Sequence, residues 1–239
     1  IGKSFAYLIP AALFSTANNA RVVISTNTIN LQDQLINKDV PDLQRALGLE
    51  FQAAVLKGRA NYLCPRRLEN FHRRGPESAE EMRVLGKTMV WMQETKSGDR
   101  ADINLNGAPE RDVWRRISAD DEACTQETCL NRMGGACPFY RARLAAQSAH
   151  IVIVNHALLL ADVATGNRVL PEYDHLIIDE GHHLEDASTN ALSFRVSQFE
   201  VVRMLRELGS SSSGVVGWAV RSVENLISPS DMAAFNQIA

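Results

Sequence analysis

Four short apolar runs punctuate the chain. Residues 21–26 (RVVIST), 51–56 (FQAAVL), 151–154 (IVIV) and 175–179 (HLIID) are aliphatic or β-branched along their length rather than alternating with polar positions. Strands of a parallel sheet covered on both faces read this way. Helical patterning follows or precedes them at residues 3–16, 31–38 and 41–47, the last running into Gly48, which suits a helix C-terminal cap. Pro10 falls inside the first of these helices and is expected to bend it or loosen its hydrogen bonding. Alternation of strand and helix predicts a doubly wound α/β domain.

The alternation stops between the second and third runs. Residues 57–149 contain nothing that reads as a buried parallel strand, but polar helical stretches at 78–96 and 110–118, a loop around 97–109, and all four cysteines. This segment is expected to be a mainly helical insert carried on the α/β domain. Residues 187–239 are mixed helical sequence broken by Ser-Ser-Ser-Ser-Gly at 210–214, either a linker inside a second insert or the start of another domain.

Composition narrows the class. With 45% apolar and 22% charged residues among 239, the chain is globular rather than disordered. The formal net charge of −3 removes any global basic excess, so contact with nucleic acid must come from local patches. No apolar run approaches the ~18 residues of a membrane span, and no membrane association is expected. The chain opens on Ile rather than Met, inside what reads as a motif, so we expect it to be a piece of a longer protein.

Several motifs carry chemistry. Gly2-Lys3-Ser4 before an apolar helix is the second half of a phosphate-binding loop, G-x-x-x-x-G-K-S/T. There Gly2 admits the phosphates to the backbone, Lys3 pairs their charge and Ser4 holds Mg2+. Asp179-Glu180-Gly181-His182 closes the fourth apolar run, where α/β sheets place their sites, so Asp179 is a candidate Mg2+ ligand and Glu180 a candidate for polarising the attacking water. Cys64, Cys124, Cys129 and Cys137 ask for a common partner. Only Cys124 and Cys129 approach the close pairing usual in structural zinc sites, and spacing alone leaves zinc and an iron–sulfur cluster open. Residues 57–75 carry a local charge of +5 from Lys57, Arg59, Arg66, Arg67, Arg73 and Arg74 against Glu69, with Tyr62 and Phe71 interleaved. Cations that follow phosphates and aromatics that stack on bases suit a single strand, although a solvated basic face is the commoner fate of such a run. Thr26, Asn27, Thr28, Asn30 and Gln32 after the first strand, and Asn155-His156 after the third, are candidate phosphate ligands; the same residues also make ordinary helix caps.

In this order, Gly-Lys-Ser, Thr-x-Thr-x-x-Leu-Gln-x-Gln-Leu, four cysteines, Asn-His-Ala-Leu-Leu and Asp-Glu-x-His, the chain resembles the XPD/DinG-like helicases of superfamily 2, and is most similar to their bacterial DinG branch. The resemblance implies an ATP-dependent 5′-to-3′ DNA helicase acting in the bacterial cytoplasm at the nucleoid, monomeric, on single-stranded DNA and on forked or hybrid duplexes. It implies a RecA-like parallel sheet split as residues 1–56 and 150–186, a [4Fe-4S] cluster insert at 57–149, and a helical arch beginning at 187–239. It assigns Lys3 and Ser4 to ATP, Ser4 and Asp179 to Mg2+, Glu180 to water activation, and His182 to coupling hydrolysis with DNA. Cys64, Cys124, Cys129 and Cys137 become the cluster ligands, and Thr26–Gln32 the first DNA-contact motif. Gly181 stands where the box usually has Ala, a change that adds only backbone freedom. A fragment of this kind, without a second motor domain, is expected neither to hydrolyse ATP efficiently nor to unwind DNA. The rival readings are a zinc-stapled nucleic-acid-binding module and a redox sensor, both without motor activity.

Overall fold

The computed structural model describes residues 2–120, 124, 127, 129, 137–193, 198–210 and 213–223. Residues 1–192 form one compact unit and residues 193–239 another. In the first unit, strands β1 (Val22–Thr26), β2 (Ala53–Val55), β3 (Ile151–Asn155) and β4 (His175–Ile178) make a parallel sheet in the order β2-β3-β1-β4. This is the α/β arrangement expected from the apolar runs and the RecA-like sheet that the resemblance implies.

Successive side chains of a strand face opposite ways, and the sheet uses this to build two cores. Val22, Ile24, Ile151 and Ile153 pack with Leu8, Ala11 and Ala12 of helix α1 (Lys3–Asn18) and with Leu35, Val40 and Leu43. The alternate positions Val23, Val152 and Val154 pack on the other side with Leu158 and Leu159 of a helix at His156–Ala164, with Phe139 and Tyr140 of a helix at Pro138–Ser148, and with all four cysteines. The cysteine region therefore shares its apolar core with the sheet. A third core, around Leu68, Phe71, Val84, Trp91, Val113 and Trp114, belongs to the helices at Pro65–Arg74, Ala79–Trp91 and Gly107–Ile117. Buried Glu81 ties Arg74 to Arg116, and buried Glu110 ties Lys87, at 2.7 Å, to Arg83.

Three details depart from expectation. The fourth run forms a strand with exposed faces, Leu176 and Ile178 being 40% and 42% accessible, because among the described residues β4 pairs only with β1 and lies at the sheet edge. Helix α1 runs through Pro10 as one element. The helices expected at 31–38 and 41–47 join into a helical stretch, Ile29–Gln34, a π turn at Leu35–Asp39, and Val40–Leu47. Pro41 has no N–H to offer the preceding turn, which widens there.

The second unit contains helices at Gln198–Leu208 and Gly214–Val223. The expected break at 210–214 is described at Ser210, Ser213 and Gly214, where Ser210 and Ser213 form an isolated antiparallel bridge. The end of the expected arch, residues 224–239, lies outside the described residues. Among the described residues no helix is long and apolar enough to cross a membrane.

Candidate nucleotide site and cysteine centre

Helix α1 begins at Gly2, whose φ of +91° lies in the left-handed region that a side chain would strain. Lys3 and Ser4 thus occupy a helix N-terminus, where backbone N–H groups favour an anion. Strand β4 delivers the acids from the other end of the chain. The Asp179 N–H donates to Ser25 O at 2.8 Å, continuing the sheet pairing, and Glu180 then turns the chain at φ +53° into a short turn at Gly181–His183. Lys3 Nζ comes to 3.4 Å from Glu180 Oε1. This pair is too exposed to matter for stability, but it brings the two ends of the predicted site together.

Asp179 is held from two sides. Its Oδ1 accepts the Glu180 N–H at 2.9 Å, and its Oδ2 accepts the Tyr7 hydroxyl at 3.0 Å. Burial, the bond to Asp179 and the charge of that carboxylate push the Tyr7 hydroxyl well above its ordinary range, against a smaller opposing bond to Ser4. Tyr7 therefore remains a donor, standing between the two candidate Mg2+ ligands. Its place one helical turn after Lys3 and Ser4 was the available sequence signal.

The ends of β1 and β3 adjoin these acids, with Thr26 opposite Asn155. Thr28 caps the helix after β1, its hydroxyl accepting the Leu31 N–H at 3.3 Å, and Asn155 caps the helix after β3 through the Leu158 N–H at 2.9 Å. Asn27 is half-buried and Asn30 exposed beside them. Thr26, Gln32 and His156 are fully buried. His156 Nδ1 lies 2.7 Å from Ser25 Oγ, and burial holds its imidazole below the ordinary histidine range.

Part of the basic run is buried as well. Lys57 is 2% exposed, its ammonium gripped by Asp33 and Asp99. Burial alone would pull that ammonium down, but the two carboxylates outweigh it and raise it above the usual lysine range. Tyr62 is buried too, its hydroxyl accepting the Lys57 N–H at 3.1 Å. Arg59 donates to Cys124 O at 3.1 Å and covers the Phe139 ring, Arg67 donates to Ser118 O and Asp120 O, and Arg66 is half-buried on the helix at Pro65–Arg74.

All four cysteines are buried, none in a disulfide, and all belong to the core on one face of the sheet. Cys124 Sγ and Cys129 Sγ are 3.4 Å apart. Burial first, then the neighbouring Cys124 and Cys137, push the Cys129 thiol up to about 12. Sulfur crowded this way ionises only for a cation. The surroundings supply positive character: Cys64 and Cys137 each stand just before a helix whose first residue is proline, and Arg59 lies against Cys124. The donor set and its setting fit a thiolate-held metal group.

A family model described as DEAD_2 matches residues 111–201. The chain is 35% identical over 211 residues to a Bacillus subtilis protein named 3'-5' exonuclease DinG, covering 88% of this chain and 22% of that protein. It is 33% identical to a Mycobacterium tuberculosis ATP-dependent helicase DinG, over 95% of this chain and 34% of the relative. It is 34% identical to a Salmonella choleraesuis ATP-dependent DNA helicase DinG, over 80% of this chain and 29% of the relative. The chain thus spans between about a fifth and a third of the length of these relatives. The DEAD_2 match and the sequence shared along most of the chain make it similar to one segment of the proteins named DinG, and the meeting of Lys3 with the Asp-Glu pair is in keeping with that similarity.

Proposed function

We propose that this segment is the nucleotide-binding lobe of an ATP-dependent DNA helicase that moves 5′ to 3′ along a single strand and opens forked or hybrid duplexes. The observation that carries the reading is the meeting of Lys3 with Glu180, beside Asp179, across almost the whole sequence of the first unit. Lys3 pairs the phosphate charge of ATP, and Ser4 and Asp179 hold Mg2+, which supplies further neutralisation of that charge. Glu180, at the carboxyl end of β4, accepts the proton of the attacking water. Asn27, Thr28 and Asn30, at the adjoining end of β1, offer side chains to a DNA backbone.

Cys64, Cys124, Cys129 and Cys137 hold a [4Fe-4S] cluster, which when bound supplies a covalent staple between loops. The insert so pinned acts as a wedge between strands. Metal binding of this kind is coupled to folding, so Cys124→Ser should remove the iron and uncouple ATP use from unwinding.

In the complete protein, Lys3→Ala and Glu180→Gln should each lower DNA-stimulated ATP hydrolysis by at least ~10²-fold, the scale of losing a positioned base or phosphate clamp. Strand displacement should proceed on a 5′-tailed fork and fail on a 3′-tailed one. Turnover indifferent to both substitutions would refute the motor, and a brown protein without ATP turnover would favour the redox reading.

A further inference from the structure

The turn after Asp179 carries more than the motor chemistry uses. One ligand atom each from Glu180, His182 and His183 lies within 4.8 Å of the others. His182 Nε2 is 3.4 Å from Glu180 Oε2, and the two imidazole rings lie 4.1 Å apart between centroids, tilted by 42°. The backbone sets this up: Glu180 sits at φ +53°, and the His183 N–H donates back to Glu180 O at 2.9 Å, closing a single tight turn that directs the three side chains together. His183 lies outside the nucleotide chemistry assigned above.

We propose that Glu180, His182 and His183 form a regulatory site for a zinc-class transition ion, which inhibits the motor by capturing Glu180. The inference rests on the assignment of Glu180 to water activation. Two imidazoles and one carboxylate, with a position left for water, are a zinc ligand set. The same set is a poor one for Mg2+, which prefers oxygen donors throughout. Lys3 is the competitor: its ammonium, 3.4 Å from Glu180 Oε1, must give way to the ion, and its side chain is exposed enough to do so. An ion seated there occupies the carboxylate that would take the proton from water, while Asp179 keeps its bonds to Tyr7 and to the Glu180 N–H.

The test is Co2+ titration of the chain followed by visible absorbance, because thiolate ligation adds an intense sulfur-to-metal band that histidine and carboxylate ligation lacks. One equivalent without that band should bind to the wild type and to Cys124→Ser. In His183→Ala and His183→Asn it should bind more weakly by more than the ~10-fold that losing even an outer-shell partner costs. Two variants guard against a local folding defect, checked by circular dichroism. In the complete protein, Zn2+ should inhibit ATP turnover reversibly, chelator should restore it, and His183→Ala should blunt the inhibition while leaving metal-free turnover unchanged. Co2+ binding that ignores both His183 variants, or Zn2+ inhibition equal in wild type and His183→Ala, overturns the proposal. The Co2+ measurement needs no turnover, so failure of the motor reading would show separately, as an inactive wild type without added zinc.

Discussion

Lys57 offers a decision between two physical roles. Replacing it with Met keeps most of the aliphatic stem and removes the ammonium that Asp33 and Asp99 share. Breaking a buried pair by deleting one partner costs ~3–5 kcal/mol, because the remaining charge is left desolvated. Here the Asp99 side chain is 12% exposed and stranded, whereas Asp33 at 33% can turn toward water. The lower end of the range, ~3 kcal/mol or roughly 10²-fold in the folding equilibrium, is therefore the expected loss. Urea unfolding followed by circular dichroism and tryptophan fluorescence should show a lower midpoint with an unchanged slope. The pair should hold through neutral pH and fail only as pH rises through the raised lysine value, since its stabilisation is complete below the unfolded-state value near 10.5. A DNA-contacting lysine behaves differently: its loss leaves stability alone and lowers the salt dependence of single-strand binding by ~0.7 in the log–log slope. A Lys57→Met protein with wild-type stability and a reduced salt slope would refute the buried-pair argument.

Other outcomes follow from the same geometry. Tyr7→Phe removes the donor to Asp179 Oδ2, so the Mg2+ concentration needed for nucleotide binding should change while the fold is retained; Mn2+ binding by electron paramagnetic resonance measures it, and an unchanged metal requirement counts against the role. Paired Glu81 and Glu110 are both held below the ordinary glutamate range, Glu81 by the Glu77 N–H with Arg116 and Arg74 against its burial, Glu110 chiefly by Lys87. Their stabilisation is present above the unfolded value near 4.5 and is lost as pH falls through the lowered folded values. Acid should accordingly open the insert, read by fluorescence of Trp91 and Trp114, and Glu110→Gln should weaken the effect. Because the Cys129 thiol is pushed up to about 12, loading metal must release protons. Apparent metal affinity should rise with pH, and a flat profile would oppose thiolate ligation.

The sheet was readable because its strands are apolar along their length. The runs at 21–26, 51–56 and 175–179 contain β1, β2 and β4, the run at 151–154 covers β3 except its last residue, and the helical pattern at 78–96 contains the helix at Ala79–Trp91, with Ser78 as its cap through the Glu81 N–H. Gly-Lys-Ser and Asp-Glu-x-His were legible as motifs, and their meeting followed from fold logic rather than from either motif. What sequence pattern missed depended on partners far along the chain. A lysine in a basic run looks alike whether it is solvated or neutralised, and those that neutralise Lys57 lie 24 and 42 residues away. Thr28 and Asn155 read equally as caps or phosphate ligands, and the structure shows them capping. An apolar run does not announce its neighbours, so the exposed edge of β4 was invisible until the strand order was known.

The face of the sheet that packs on the cysteines sets a limit on what can be rebuilt. Excising residues 57–149 would strip much of the cover from Val23, Val152 and Val154, since Phe139, Tyr140 and the four thiols go with the excised piece while Leu56, Leu158, Leu159 and Leu170 stay behind. A transplant of this lobe must carry its sulfur-rich lining along, and damage to that lining would be felt on the underside of β1 and β3, whose ends adjoin Asp179 and Glu180.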